Sequence, residues 1–144
     1  MISRAAVIRL GFLAIMGLIA GAGFGCGSTA PPQQGVEVFQ NAALSEVGGL
    51  IESYSVDAKK PPKSIAEVAR YEIGMPTGFT ELKSGNIVVF WGAPLSETAT
   101  DAVLAYEKAV PQSGGFVLMQ DGKTIKKMTA DEFKAATKAP GKTN

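Results

Sequence analysis

The chain has 144 residues, of which 46% are hydrophobic and 19% charged, with a formal net charge of +1, one cysteine and no histidine. This composition predicts one globular domain with a targeting segment, and it excludes a chain that is disordered throughout. The lack of histidine excludes serine triads and histidine-based zinc or non-haem iron sites. A single cysteine excludes an internal disulfide. The absence of a basic patch argues against a nucleic-acid partner.

Residues 1–25 have the pattern of a secretory signal peptide. Arg4 and Arg9 supply a positive start, and the 15 residues from Leu10 to Phe24 carry no charge. A permanent transmembrane helix needs about 20 apolar residues, so this stretch is short for one, and its glycine cluster disfavours a helix further. A retained, uncut anchor is the alternative.

Cys26 lies where this apolar stretch ends, with Gly25 before it and Gly27-Ser28 after it. The arrangement resembles the lipobox of bacterial lipoproteins, in which the signal is cut before a cysteine whose sulfur carries diacylglycerol. The resemblance implies lipid attachment at Cys26 and stable anchoring by acyl chains such as palmitate. Residues 26–35 would then form a lipidated flexible tether, because Pro-Pro favours extended backbone and small polar residues pack poorly. An incidental cysteine inside an uncut anchor is the other interpretation.

The stretch "RLGFLAIM" is also similar to a prepilin leader, which a peptidase cuts between Gly and Phe. Here the cut would fall between Gly11 and Phe12. Met16 stands where that family has a glutamate. This second resemblance implies a subunit of a pilus-like filament rather than a lipoprotein.

The globular domain is predicted over residues 36–136 and begins with a long helix over 36–55. Apolar residues recur there at steps of three and four, the pattern of one helix face: Val36, Phe39, Ala43, Val47, Leu50 and Tyr54. Gly48-Gly49 interrupts this helix, which indicates either close approach of another backbone or a tolerated weak spot. After the break at Pro61-Pro62, Ser64 and Glu67 predict a capping box that opens a short helix over 64–72, followed by a loop over 73–85.

The second half of the domain is predicted to be β-structure. Three runs rich in β-branched and aromatic residues, 86–91, 102–108 and 115–120, predict strands. Asp121-Gly122 predicts a type I′ hairpin turn into a lysine-rich edge strand. Thr129 and Glu132 predict a capping box for a last short helix, and residues 137–144 are expected to form a loose tail. The predicted fold is therefore α+β, with a long N-terminal helix packed on a three- to four-stranded antiparallel sheet.

This order of elements resembles the soluble part of type II secretion pseudopilins. Over residues 103–128 the sequence looks like the planctomycete-type prepilin-associated domain, whose motif is His, nine residues, then Asp-Gly. Asp121-Gly122 and the pair Gly114-Gly115 match that pattern, whereas Pro111 occupies the histidine position. The resemblance implies a pseudopilin-like head carried on a lipid anchor.

Carboxylates and aromatic residues are the remaining candidates for a site. Glu97 and Asp101 lie in a loop with several hydroxyl groups, an arrangement that calcium accepts, although a solvated connection between strands is the simpler interpretation. Asp121 is expected to serve its turn. Phe90 and Trp91 could line a binding groove or pack in the core. No catalytic, cofactor-binding or metal-binding residue is therefore predicted, and Cys26 is the one predicted site.

Together these patterns predict a membrane-anchored extracytoplasmic lipoprotein that is not an enzyme and has a structural or protein-interaction role, with a possible link to a secretion system. Its expected partners are membrane lipid, through the acylated N-terminus, and proteins of an envelope assembly. Its expected location is the cell envelope, facing the periplasm or the exterior. The alternatives are a pseudopilin subunit of a type II secretion or type IV pilus-like filament, and a calcium- or carbohydrate-binding module.

Overall fold

The computed structural model describes residues 33–143, which contain five α-helices, a 3₁₀ helix and four β-strands. The predicted signal peptide, Cys26 and the Gly11-Phe12 bond lie outside these residues. In chain order the elements are α1 Gln33–Ala58, α2 Ile65–Val68, the 3₁₀ helix Ala69–Gly74, α3 Pro76–Lys83, β1 Ile87–Val89, β2 Val103–Glu107, α4 Val110–Ser113, β3 Gly115–Met119, β4 Ile125–Met128 and α5 Ala130–Ala135.

The four strands form one antiparallel sheet in the order β1-β2-β3-β4, so that each strand pairs with its neighbour in sequence. Val88 pairs with Tyr106, Tyr106 with Val117, and Val117 with Lys126. β4 lies at one edge, and its two lysines are exposed, which disfavours pairing with a further strand. The predicted α+β fold and its antiparallel sheet are confirmed.

The long helix α1 packs on this sheet through the predicted apolar face. Its middle and C-terminal turns bury a continuous stripe of side chains: Ala43, Leu44, Val47, Leu50, Ile51 and Tyr54. Val36 and Phe39, which the same pattern assigns to the core, remain 43% and 51% exposed. The helix also begins at Gln33, so the last three residues of the predicted tether 26–35 are helical. Gly35 alone disfavours a helix there, and it does so weakly.

Gly48 marks a close approach between two parts of the backbone. A Cβ atom built on Gly48 would lie 2.1 Å from the carbonyl oxygen of Gly122, in the connection between β3 and β4. Real side chains do not approach backbone atoms so closely, so only glycine fits. The hypothesis of close approach is therefore confirmed, and the interpretation of Gly48 as a tolerated weak spot is wrong.

Residues 73–85, predicted as a loop, contain the helix α3. Pro76 occupies its first position, where the missing N–H costs nothing, and Phe79 and Leu82 are buried. Gly78 lies against α1, because a Cβ there would lie 2.9 Å from the carbonyl oxygen of Ala43. The Gly78 N–H donates to the Glu46 carboxylate at 2.7 Å, so α1 supplies the cap of α3. The loop prediction was wrong because these residues start and pack a helix.

The two predicted capping boxes have opposite outcomes. Ser64 makes no side-chain cap, and the Glu67 carboxylate instead accepts the N–H of Lys63, a bond that lowers the pKa of Glu67. The helix predicted over 64–72 is correspondingly split between α2 and the 3₁₀ helix.

At α5, the N–H of Glu132 donates to Thr129 Oγ1 at 3.2 Å, and the N–H of Thr129 donates to Glu132 Oε2 at 2.7 Å. These two bonds confirm the predicted capping box. The bond from the Thr129 N–H also lowers the pKa of Glu132.

The segment from 137 to 143, predicted as a loose tail, is hydrogen-bonded to β2 and to the connection after β1. The Val103 N–H donates to the carbonyl of Thr137 at 2.9 Å, and the Ala139 N–H returns to the Val103 carbonyl at 2.8 Å. Lys142 and Trp91 exchange two backbone hydrogen bonds of 2.9 Å. Ala139 is only 3% exposed. The prediction failed because these bonds depend on partners some 35 to 50 positions away, which local composition does not reveal.

Lys138 adds a side-chain tie at the same place. Its ammonium group donates to the carbonyl oxygens of Phe133 and, at 2.6 Å, of Ala136, which lie at the C-terminal end of α5. It also lies 4.2 Å from the centre of the Phe133 ring. Desolvation in this position lowers the pKa of Lys138. The segment is therefore held by both backbone and side-chain bonds.

Candidate functional site

A groove of about 750 Å³ opens between the N-terminal half of α1 and the ends of the strands. Its apolar lining includes Val36, Phe39, Ile87 and Phe116. A concave apolar surface with a few polar groups is the usual form of a binding site, so this groove is the first candidate.

An ion pair crosses one end of the groove and joins α1 to the edge strand. Lys127 Nζ lies 2.6 Å from Glu37 Oε1, with both side chains about half exposed or more. The same ammonium lies 5.4 Å from the centre of the Phe116 ring. An exposed pair of this kind contributes about 0–1 kcal/mol to stability. It also leaves the start of α1 with its one acidic side chain neutralised.

Two further carboxylates line the groove, and both hold the backbone or a neighbouring side chain. Glu107 Oε2 accepts the N–H of Phe116 at 2.7 Å, and Glu81 Oε2 accepts the side-chain N–H of Asn86 at 2.9 Å. These bonds fix the strand ends that form the walls. Within residues 33–143 no group of three or more His, Cys, Asp or Glu side chains comes together as a possible metal site.

The first two turns of α1 carry a cluster of exposed apolar side chains beside the groove. Val36 is 43% exposed, Val38 69% and Phe39 51%. We call these three residues the apolar collar. Single exposed hydrophobic residues are normal on a protein surface, but a cluster indicates contact with another apolar surface. The sequence pattern identified two of the three residues and assigned them to the core.

Glu97 and Asp101, the candidate calcium ligands, are both exposed on the connection between β1 and β2. Trp91 is 5% exposed and belongs to the main core. The ring centres of Phe90 and Tyr106 are 5.8 Å apart, with the rings tilted by 38°. The core interpretation is confirmed for Trp91, and Phe90 is half-buried and packs against the same core. Pro111, at the position of the family's histidine, lies within the short helix α4.

Asp121 serves the connection between β3 and β4. Its carboxylate accepts the N–H groups of Lys123 at 2.9 Å and Thr124 at 2.8 Å, and also the Thr124 hydroxyl. Desolvation acts to raise the pKa of Asp121, but these hydrogen bonds together outweigh it and lower the pKa. Within the five-residue connection 120–124, Gly122 alone has positive φ, whereas a type I′ turn has two central residues with positive φ. The predicted type I′ turn is therefore wrong. The turn role of Asp121 is confirmed.

A polar and aromatic cluster near the end of α1 was not predicted from the sequence. The Arg70 guanidinium lies 4.7 Å from the Tyr71 ring centre, 5.8 Å from that of Tyr54, and 3.3 Å from Asp57. The Tyr71 hydroxyl donates to Asp57; desolvation and this bond raise the pKa of Tyr71. The cluster ties the 3₁₀ helix to α1. The two members on α1 are 13 to 17 positions away from the two on the 3₁₀ helix, and no local spacing rule connects the two pairs.

Two findings complete the description of the site. Among residues 33–143, no helix is both long enough and apolar enough to cross a membrane. Comparisons with protein-family models, with curated proteins and with solved structures find no match.

Proposed function

We propose that this chain is a membrane-anchored extracytoplasmic lipoprotein whose acylated Cys26 holds the folded domain at a membrane, facing the periplasm or the exterior. The observation that carries the proposal is Cys26 itself. It follows a positive start and 15 uncharged residues, and it is flanked by Gly25 and Gly27-Ser28. Two or three acyl chains on that residue suffice for stable attachment to a bilayer.

We further propose that the domain works by contact and not by catalysis. The groove beside α1 supports this, since its carboxylates Glu81 and Glu107 are engaged in hydrogen bonds that hold its walls. Proteins of an envelope or secretion assembly are the partners that this role implies.

The test is the mass of the mature chain extracted from bacterial membranes. We expect an N-terminus at Cys26 with the added mass of diacylglycerol and an amide-linked acyl chain. Globomycin, which blocks the lipoprotein signal peptidase, should cause the uncut form to accumulate. A Cys26→Ser variant is the matched control and should lose both the lipid mass and the globomycin response. An unmodified cysteine in the membrane-bound wild-type chain would contradict the proposal.

A pseudopilin subunit is the second candidate, and the exposed start of α1 favours it. Helices that assemble side by side bury such residues against one another, and Val36, Val38 and Phe39 are exposed in the described domain. In that case the same mass measurement would find a mature N-terminus at Phe12, free or methylated, and an unmodified Cys26.

A further inference from the structure

We propose that the apolar collar, Val36, Val38 and Phe39, is a second membrane contact that dips into the boundary between lipid headgroups and acyl chains. This inference rests on the proposed function, because it needs the acylated Cys26 nearby. The occupant is a lipid surface.

The reach of the chain places the collar close to the bilayer. Seven residue steps separate Cys26 from Gln33, where α1 begins. Fully extended, they span at most about 25 Å, and a less extended chain spans considerably less. The collar follows within the first two helical turns, each about 5.4 Å long. An anchored Cys26 therefore keeps Val36 and Phe39 within about 35 Å of its own attachment point.

The charge of this region suits insertion at an interface. Between positions 33 and 42 the sequence has one charged residue, Glu37, and Lys127 lies 2.6 Å from its carboxylate. The pair therefore enters the headgroup region without net charge. The adjacent groove is lined by two lysines, Lys108 and Lys127, and by three glutamates, so its lining has no excess of positive charge. Contact with lipid therefore depends on the apolar side chains of the collar.

The geometry of the collar is compatible with a lipid boundary. Successive residues of an α-helix are about 100° apart, so Val38 lies about 200° around the axis from Val36 and about 100° from Phe39. The collar thus covers several sides of the helix, and all three residues are exposed. Val36 and Phe39 line the groove, and Val38 lies on another side of the helix. A deformable lipid boundary can contact apolar side chains on more than one side of a helix end.

The experiment measures the depth of the collar in the bilayer. The full-length Val38→Cys chain is expressed with its signal, labelled with a thiol-reactive environment-sensitive fluorophore, and reconstituted into phosphatidylethanolamine–phosphatidylglycerol vesicles containing brominated lipid. The sulfur of an acylated Cys26 does not react with the label. The matched control is Ile73→Cys, because Ile73 is 96% exposed and lies on the 3₁₀ helix, away from the collar. The mass of each sample reports acylation.

We expect acylation in both variants, and several-fold stronger quenching by brominated lipid at position 38 than at position 73. Equal, weak quenching at both positions in an acylated chain would overturn this inference and leave the proposed function standing. An unacylated chain would overturn both. Disulfide-linked dimers of the unlabelled Val38→Cys chain, without quenching of the labelled one, would assign the collar to a second copy and also overturn the inference.

Discussion

Gly48 of α1 and Gly122 of the β3–β4 connection are in backbone contact, with 2.1 Å between the Gly122 carbonyl oxygen and the place where a Gly48 side chain would begin. Gly48→Ala should therefore force α1 away from the sheet and lower the free energy of unfolding by about 1–3 kcal/mol, despite the higher helix propensity of alanine. Urea denaturation followed by circular dichroism measures the change.

Gly35→Ala is the matched control, because it lies in the same helix and nothing occupies the space within 4 Å of its added Cβ. That variant should be as stable as the wild type or slightly more stable. If both variants unfold at the wild-type urea concentration, the close packing of α1 on the turn is refuted.

A second glycine pair tests the helix that local patterns missed. Gly78→Ala places a Cβ 2.9 Å from the Ala43 carbonyl oxygen, whereas Gly74→Ala meets no atom within 4 Å. We expect Gly78→Ala to cost about 1–3 kcal/mol of stability and Gly74→Ala to cost well under 1 kcal/mol. Thermal unfolding of the two variants in parallel measures the difference. Equal melting temperatures would mean that α3 does not pack against α1 in this way.

Deletion of residues 138–144 should destabilise the domain by more than about 1 kcal/mol, because it removes the backbone partner of Trp91 and buried apolar contacts. Trp91 is the one tryptophan of the chain, so its fluorescence reports the change directly. We expect a red-shifted emission maximum in the truncated chain. Deletion of Thr143 and Asn144 alone is the control and should leave the spectrum unchanged; a wild-type spectrum in the longer deletion would show that the tail is dispensable.

Asp121 should make stability depend on pH. Its pKa is lowered in the folded chain, so its ionised form stabilises the fold. That contribution is fully present above the unfolded pKa of about 3.9 and is lost as the pH falls through the folded pKa. Asp121→Asn should therefore be less stable than the wild type at pH 7, and the difference in the free energy of unfolding should narrow as the pH falls below the unfolded pKa and through the lowered, folded one.

The exposed Asp101→Asn variant serves as the control for this measurement. Urea denaturation at several pH values follows all three proteins. A constant difference between Asp121→Asn and the wild type from neutral to acid pH would contradict the assigned role of the carboxylate.

Sequence patterns were sufficient for the elements whose stability is local or periodic. The stripe that includes Ala43, Val47 and Leu50 predicted α1, and the β-branched runs predicted β1, β2 and β3. The sequence patterns failed where one residue type can either interrupt a helix or form part of it. Pro76 and Gly78 usually interrupt regular structure, yet here one begins α3 and the other allows it to touch α1.

The collar could not be predicted from periodicity, because periodicity does not reveal where the sheet ends. A helix of 26 residues is about 39 Å long, whereas strands of five residues extend only about 17 Å. The stripe of apolar positions therefore continues past the surface that buries it, and Val36 and Phe39 emerge on the outside. The lipid attachment proposed at Cys26, by contrast, is a prediction from its neighbours in sequence alone.

The bond between the Trp91 N–H and the Lys142 carbonyl also constrains the order of assembly. A nascent chain that ends before residue 137 presents Val103 with its backbone donor unpaired, and one that ends before residue 142 does the same for Trp91. Closure of these loops of roughly 35 and 50 residues carries an entropic cost that local structure does not offset. The domain therefore completes its fold only after residues up to 142 have emerged from the ribosome. Such late folding is compatible with crossing a membrane in an unfolded state.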